Sequence, residues 1–212
     1  MAIAALSNFT VPLNSDQSAS SQGMLMPKLK YRFRISFENF GTGGATELTK
    51  QVAEAARPSV KFTDQKIEIY NSIIHYAGKP AWDPISIKLR DDASNIVTTL
   101  VGQQNQKQFD FFEQSSAASA GDYKFTMRIE ILDGANGTST PQALEVWEVY
   151  GCYLVSTNYQ ELKYSEQGPV MIDLSIQFDN AVQTTPAGGI GSGTPVMKFT
   201  DTPGNGGNAL GS

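Results

Sequence analysis

Cysteine is all but missing from this chain of 212 residues: Cys152 stands alone, so no intramolecular disulfide can form and cysteine-rich metal patterns are excluded. Stability must come from packing, and a reducing compartment suits such a sequence. Histidine is as scarce, with His75 the single one. A serine or cysteine nucleophile needs a base, and His75 sits in the apolar and aromatic run Ile73 to Tyr76, where a structural place in a strand or loop is the better reading. Cys152, next to Tyr153, reads as a small core residue and not as a reactive thiol.

No apolar run approaches the length of a membrane span, and Met1 to Leu6 has neither the basic start nor the length of a secretory leader. A soluble chain, not exported by that route, is expected. Positive charge is in deficit: 16 Lys and Arg against 21 Asp and Glu leave a formal −5 and an isoelectric point near 4.9. That balance excludes a protein that grips phosphates by displacing counterions. A charged fraction of 17%, an aromatic fraction of 10% and a mean hydropathy of −0.26 exclude wholesale disorder.

Chemistry-bearing motifs are missing too. The 21 acids contain no pair that the sequence singles out for glycoside hydrolysis. The run Gly188 to Gly193 imitates a phosphate loop but lies in a Gly-rich tail without the strand and helix such a loop joins, so it reads as flexible chain. Asp133-Gly134-Ala135-Asn136-Gly137 lacks the alternating oxygen ligands and final Glu of a calcium loop and reads as a turn. Asn8-Phe9-Thr10 and Asn136-Gly137-Thr138 match glycosylation acceptors, which carry no meaning without export. No catalytic residue, cofactor or metal site is expected.

What the sequence does contain is period-two alternation. Leu29, Tyr31, Phe33, Ile35 and Phe37 alternate with polar residues, as do Ile85, Ile87 and Leu89, then Phe125, Met127, Ile129 and Ile131. Each set places its apolar side chains on one face of a half-buried strand. Val146 to Tyr159 reads as a long strand with a bend or bulge at Gly151. Val170, Ile172, Leu174, Ile176 and Phe178 form the last and clearest strand. A helical period occurs once, from Asp92 or Ser94 through Ile96, Val97, Leu100 and Val101, with Phe109 and Phe112 farther along and Gly102 as a place where it ends or loosens. The reading is a mainly β sandwich or barrel with one flanking α-helix, spanning residues 28–183, between an N-terminal extension (1–27) and a Gly/Pro-rich C-terminal tail (184–212).

Asn71, Tyr76-Ala77-Gly78, Trp82-Asp83 and the alternating Ile85, Ile87 and Leu89 lie in an order that extends through Arg90-Asp91-Asp92, the helix, and the strand Lys124 to Leu132. Trp147-Glu148-Val149-Tyr150-Gly151 and the strand Val170 to Phe178 complete it. From Arg57 to Val182 this series resembles the tail tube proteins of contractile-tailed phages of the T4 type. The resemblance implies a β-sandwich or barrel with a flanking helix, six subunits per ring, and rings stacked into a hollow tube inside a contractile sheath. Residues 59–82 correspond to the loop that reaches the adjacent ring, with Ile73, Ile74, Tyr76 and Trp82 as its apolar anchors.

The implied partners are further copies of the chain, the sheath, the tape-measure and baseplate proteins, and DNA that passes through the lumen without specific binding; no membrane is involved. The implied place is the tail of a virion assembled in the host bacterial cytoplasm. A ring of six copies carries six times −5, a formal −30, and if a good part of the acids faces the channel, DNA phosphates meet repulsion instead of adhesion. Glu130, Asp173 and Asp179, on polar strand faces, are the candidate lumen acids. Two alternatives stay open: the inner tube or baseplate tube initiator of a bacterial contractile injection or secretion system, and, in a different class, a monomeric β-sandwich that binds a carbohydrate or small ligand.

Overall fold

The computed structural model describes residues 28–42, 46–133, 141–165, 167–185 and 189–191. The N-terminal extension, the expected turn from Gly134 to Gly137, both glycosylation-like triplets and most of the Gly-rich tail lie outside the described residues.

In chain order the elements are β1 (Phe33–Glu38), α1 (Thr46–Gln51), β2 (Val52–Ala55), β3 (Val60–Ile69), β4 (Ser72–Trp82), β5 (Ile85–Arg90), α2 (Ile96–Gln108), β6 (Phe109–Asp110), β7 (Ser115–Ser116), α3 (Ala120–Tyr123), β8 (Phe125–Leu132), β9 (Ala143–Asn158), β10 (Met171–Gln177) and β11 (Asn180–Thr184). The architecture is mainly β. One antiparallel sheet runs β1-β8-β9-β10-β5-β2, with β11 also paired to β9.

Period two decides which face of this sheet is inside. Ile35 and Phe37 of β1 sit opposite Ile129 and Met127 of β8, and Ile172, Leu174 and Ile176 of β10 sit opposite Leu89, Ile87 and Ile85 of β5. All ten are buried in a single cluster, which also takes in Phe40, Phe125, Trp147 and Val149. At about 1.5–3 kcal/mol per fully buried side chain, these rows are the main source of stability.

The sheet folds around one long strand. The first half of β9 pairs with β8 and β11, and its second half pairs with β10. At the junction Gly151 has φ +68, and the register changes because Phe125 opposes Cys152 while Met127 opposes Val149, one extra residue on β9. This is the bulge that the sequence marks. The carboxylate of Asp179 fills the space beside Gly151, and an added Cβ there would lie 2.1 Å from its oxygen.

The helix departs from expectation at both ends. It starts at Ile96 behind Asn95, with no side-chain cap from Asp92 or Ser94, and it continues through Gly102 to Gln108. Val97, Leu100, Val101 and Gln104 are its buried face. Phe109 and Phe112 leave the helix for the β6–β7 turn, where Phe112 is exposed. Two short helices, α1 and α3, carry too few turns for a sequence period to reveal them.

Two strand expectations also change. Leu29 to Arg32 form a turn, closed by the Arg32 N–H donating to the Leu29 carbonyl at 3.2 Å; the β1 ladder begins at Phe33, opposite Ile131 near the end of β8. The strand Met171–Gln177 is not the last, since β11 follows it. The part of the Gly-rich tail expected as flexible chain that is described, Gly189–Gly191, makes a bridge in which the Gln183 N–H donates to the Ile190 carbonyl at 2.7 Å.

Candidate functional site

β2 and β5 pair as the edge of the sheet, and the same two chain segments carry on beyond it as β3 and β4. Ala55 opposes Ile87, the Asp83 N–H donates to the Ser59 carbonyl, and Val60 opposes Trp82, so the ribbon keeps one register from the sheet into the arm. Beyond that point, among the described residues, β3 and β4 pair only with each other. With ten and eleven residues, at about 3.4 Å each, the arm reaches roughly 30 Å from the body.

The root of the arm is fixed. Trp82 is partly buried against the core and stacks on Phe178 at 5.4 Å between ring centroids. Gln177 donates from Nε2 to the Trp82 carbonyl at 3.1 Å, Lys61 pairs with Asp83 at 2.9 Å, and Arg57 lies 3.6 Å from the buried carboxylate of Glu145. Glu145 in turn accepts from the Trp147 indole at 2.6 Å and from Gln183 at 3.0 Å. Midway, β4 carries one extra residue, because Phe62 opposes Pro80 while Asp64 opposes Ala77. A Cβ on Gly78 would meet the Thr63 carbonyl at 2.8 Å, so glycine is what lets the strands approach at this bulge.

Past the bulge the two faces differ. The pairs Gln65–Tyr76, Ile67–Ile74 and Ile69–Ser72 share one face, and Asp64–Ala77, Lys66–His75 and Glu68–Ile73 share the other. On the charged face His75 Nδ1 stands 3.0 Å from Asp64. On the apolar face Ile67, Ile69, Ile74 and Tyr76 are each about half exposed, and Tyr70 at the tip is fully so.

The four anchors expected from the sequence are therefore divided. Ile74 and Tyr76 belong to the apolar face, Ile73 to the charged one, and Trp82 to the root. Ile67, Ile69 and Tyr70 went unmarked in the sequence, although the spacing of Ile67 and Ile69 and a turn centred on Tyr70-Asn71 place both isoleucines beside Ile74.

The three candidate lumen acids have different surroundings. Glu130 is 6% exposed and its charge is balanced by Arg34, at 2.6 Å from Nε, and Arg128, at 3.0 Å. It is thus not the solvated strand-face acid that alternation suggests, because Arg34 from the neighbouring strand and Arg128 from its own pair with it. Asp173 lies opposite Lys88 and accepts from Gln160 at 2.9 Å. Asp179 is exposed and pairs with Lys124 at 2.6 Å, which raises the lysine pKa through that hydrogen bond. Cys152 is fully buried, and loss of water around the thiol pushes its pKa up to about 12, the opposite of what a nucleophile requires.

No family model and no curated protein sequence matches the chain. Solved structures do. The tube-terminating cap of the anti-feeding prophage aligns with a TM-score of 0.57 at 12% identity, over 82% of this chain and 99% of that one. The sheath/tube terminator of the extracellular contractile injection system PVC aligns with a TM-score of 0.56 at 10% identity, over 77% and 100%. A chain of the sheath-tube complex of that system aligns with a TM-score of 0.51 at 13% identity, over 80% and 99%. At such identities the likeness is one of fold, and the fold spans nearly the whole of each neighbour: this chain has the tail tube protein fold.

Proposed function

We propose that this chain is a structural subunit that closes with its own copies into rings and stacks them into the inner tube of a contractile machine. The observation that carries the reading is the β3–β4 arm, a long two-stranded ribbon with an apolar face and no partner among the described residues of its own protomer. An isolated hairpin is at best marginally stable in water, and exposed isoleucines of this kind are covered when a second surface meets them. Ile74 and Tyr76, joined by Ile67 and Ile69, are the contact residues toward the next ring; Trp82 holds the arm at its root. Lateral closure has its own basis. Among the described residues β1 and β2 each pair on one side only, and an uncovered strand edge is a template for another strand.

In a phage tail such a tube holds six copies per ring, lies inside a sheath, ends at the baseplate and lets DNA pass during ejection from a virion made in the host cytoplasm. The net charge of −5 per copy supports passage without adhesion. Asp173 and Asp179 stay as lumen candidates, and Glu130 leaves the set because two guanidinium groups balance it. The inner tube of an injection system needs the same subunit and is supported equally. A ring that ends the tube is a second reading, favoured by the likeness to the cap and the terminator.

Size-exclusion chromatography and negative-stain microscopy across a concentration series test the proposal. Rings that grow into filaments are expected of a tube subunit, and deletion of Ile73 to Gly78 is expected to leave rings without filaments. Rings that never lengthen in the intact chain favour the terminator. Monodisperse monomer at every concentration overturns both.

A further inference from the structure

The arm has a counterpart at the opposite end of the sheet from which it grows. β5 leaves the arm at Ile85, opposite Ile176, and ends at Arg90, opposite Met171. The segment joining β9 to β10 enters the sheet at that far end. Six residues of strand separate the two ends, or roughly 20 Å. Among its described residues this segment exposes large apolar side chains beside polar ones: Leu162 is 80% exposed and Tyr164 fully exposed, and Gln160, Glu161 and Lys163 are exposed as well. Leu162, Tyr164, Pro169, Val170 and Met171, together with those polar residues, line a depression of about 430 Å³. Within that lining the charges of Glu161 and Lys163 are paired to each other.

The tip of the arm is its convex complement. Tyr70 has φ +39, a left-handed conformation that Gly or Asn adopts with less strain, and its ring is wholly exposed. Ile69 and Ile74 lie just behind it. Two unlike surfaces at opposite poles of one sheet cannot satisfy each other within a protomer, but the tip of one copy can meet the depression of another. They fit a heterologous contact that repeats along one direction.

We infer that Tyr70, with Ile69 and Ile74 behind it, seats in the β9–β10 depression of a second copy, so that copies join head to tail along the tube axis. The inference rests on the tube reading and names the surface that receives the arm.

The test uses full-length Tyr70→Asp and Leu162→Asp. Both side chains are exposed, and unchanged circular dichroism and melting confirm that each variant is folded. Each alone is expected to form rings that do not stack, by microscopy and sedimentation. Mixed, they are expected to form paired rings of twice the mass and nothing longer, because one intact tip meets one intact depression. Either variant stacking to wild-type length alone, or a mixture without pairs, overturns the contact while the persisting rings leave the tube reading standing. Wild type and variants that all stay monomeric overturn both. A second measurement is independent of the aspartates: in Tyr70→Cys/Leu162→Cys filaments, oxidation is expected to give a ladder of linked chains, with buried Cys152 taking no part, and filaments that form without the ladder overturn the contact.

Discussion

At the scale of single residues, burial and not reactivity sets the character of the scarce side chains. The Cys152 thiol donates to the Val149 carbonyl at 3.4 Å in the core, and burial holds its pKa near 12, above the ordinary value of 9.0. The sign of the stability effect follows. Between those two values the unfolded chain has lost the thiol proton and the folded chain keeps it, so unfolding is favoured as pH rises; below pH 9 the thiol is neutral in both states and contributes no pH dependence. The expected slope is about 1.4 kcal/mol per pH unit. Urea titrations from pH 8 to 11 are expected to show a steeper alkaline loss of stability for the wild type than for Cys152→Ala. Equal slopes would mean that water reaches the thiol in the native state.

At the scale of elements, α2 acts as a strand substitute. The second half of β9 has β10 on one side, and on the other Gln108 both donates to the Leu154 carbonyl at 2.9 Å and accepts from its N–H at 2.8 Å. One turn earlier Gln104 accepts from the Gly41 N–H at 3.0 Å and donates to the Tyr123 carbonyl at 2.6 Å, and Asn105 donates to Thr157 at 3.2 Å. Gln108 thus satisfies strand backbone groups that a further strand would otherwise pair, while Gln104 bonds backbone outside the sheet and Asn105 a side chain of β9. Gln108→Ala removes both partners of Leu154, and two buried unsatisfied groups are expected to lower stability by about 1–3 kcal/mol each, seen as a lower urea midpoint at unchanged slope. The same element shows why part of the fold was legible and part was not. Val97, Leu100 and Val101 announce the helix because burial of apolar side chains leaves a period. Gln104 and Gln108 look like solvated positions, since hydrogen bonding to a distant backbone leaves none. Ile35, Ile87 and Ile176 were legible for the first reason. Glu130 and Glu145 were not, because each is buried with partners that lie far away in the sequence, Arg34 for Glu130 and Arg57 and Gln183 for Glu145. In the arm, alternation at Ile67 and Ile69 was present, yet which residues share a face follows from a register that only the turn at Tyr70-Asn71 and the Gly78 bulge fix.

At the scale of the whole molecule, stability is unevenly spread between the body and the arm. The body buries its apolar rows against one another. The arm has neighbouring strand on one side of each of its strands and exposed side chains on both faces, from Lys61 to Ala77, so its hydrogen bonds open at little cost in a free protomer. In the proposed tube a second copy would cover the apolar face, and the energy released on covering would order the arm. Amide hydrogen exchange is expected to show residues 61–77 exchanging early in the dilute protomer while β8 and β9 stay protected, and the same residues slowing by at least about tenfold in stacked rings, equivalent to about 1.4 kcal/mol of added local stability. Protection on the arm should rise most at Ile67, Ile74 and Tyr76 and along the segment toward Tyr70. Arm amides as protected in the monomer as those of β9 would mean that the ribbon holds itself together without a partner, and the case for assembly through it would be lost.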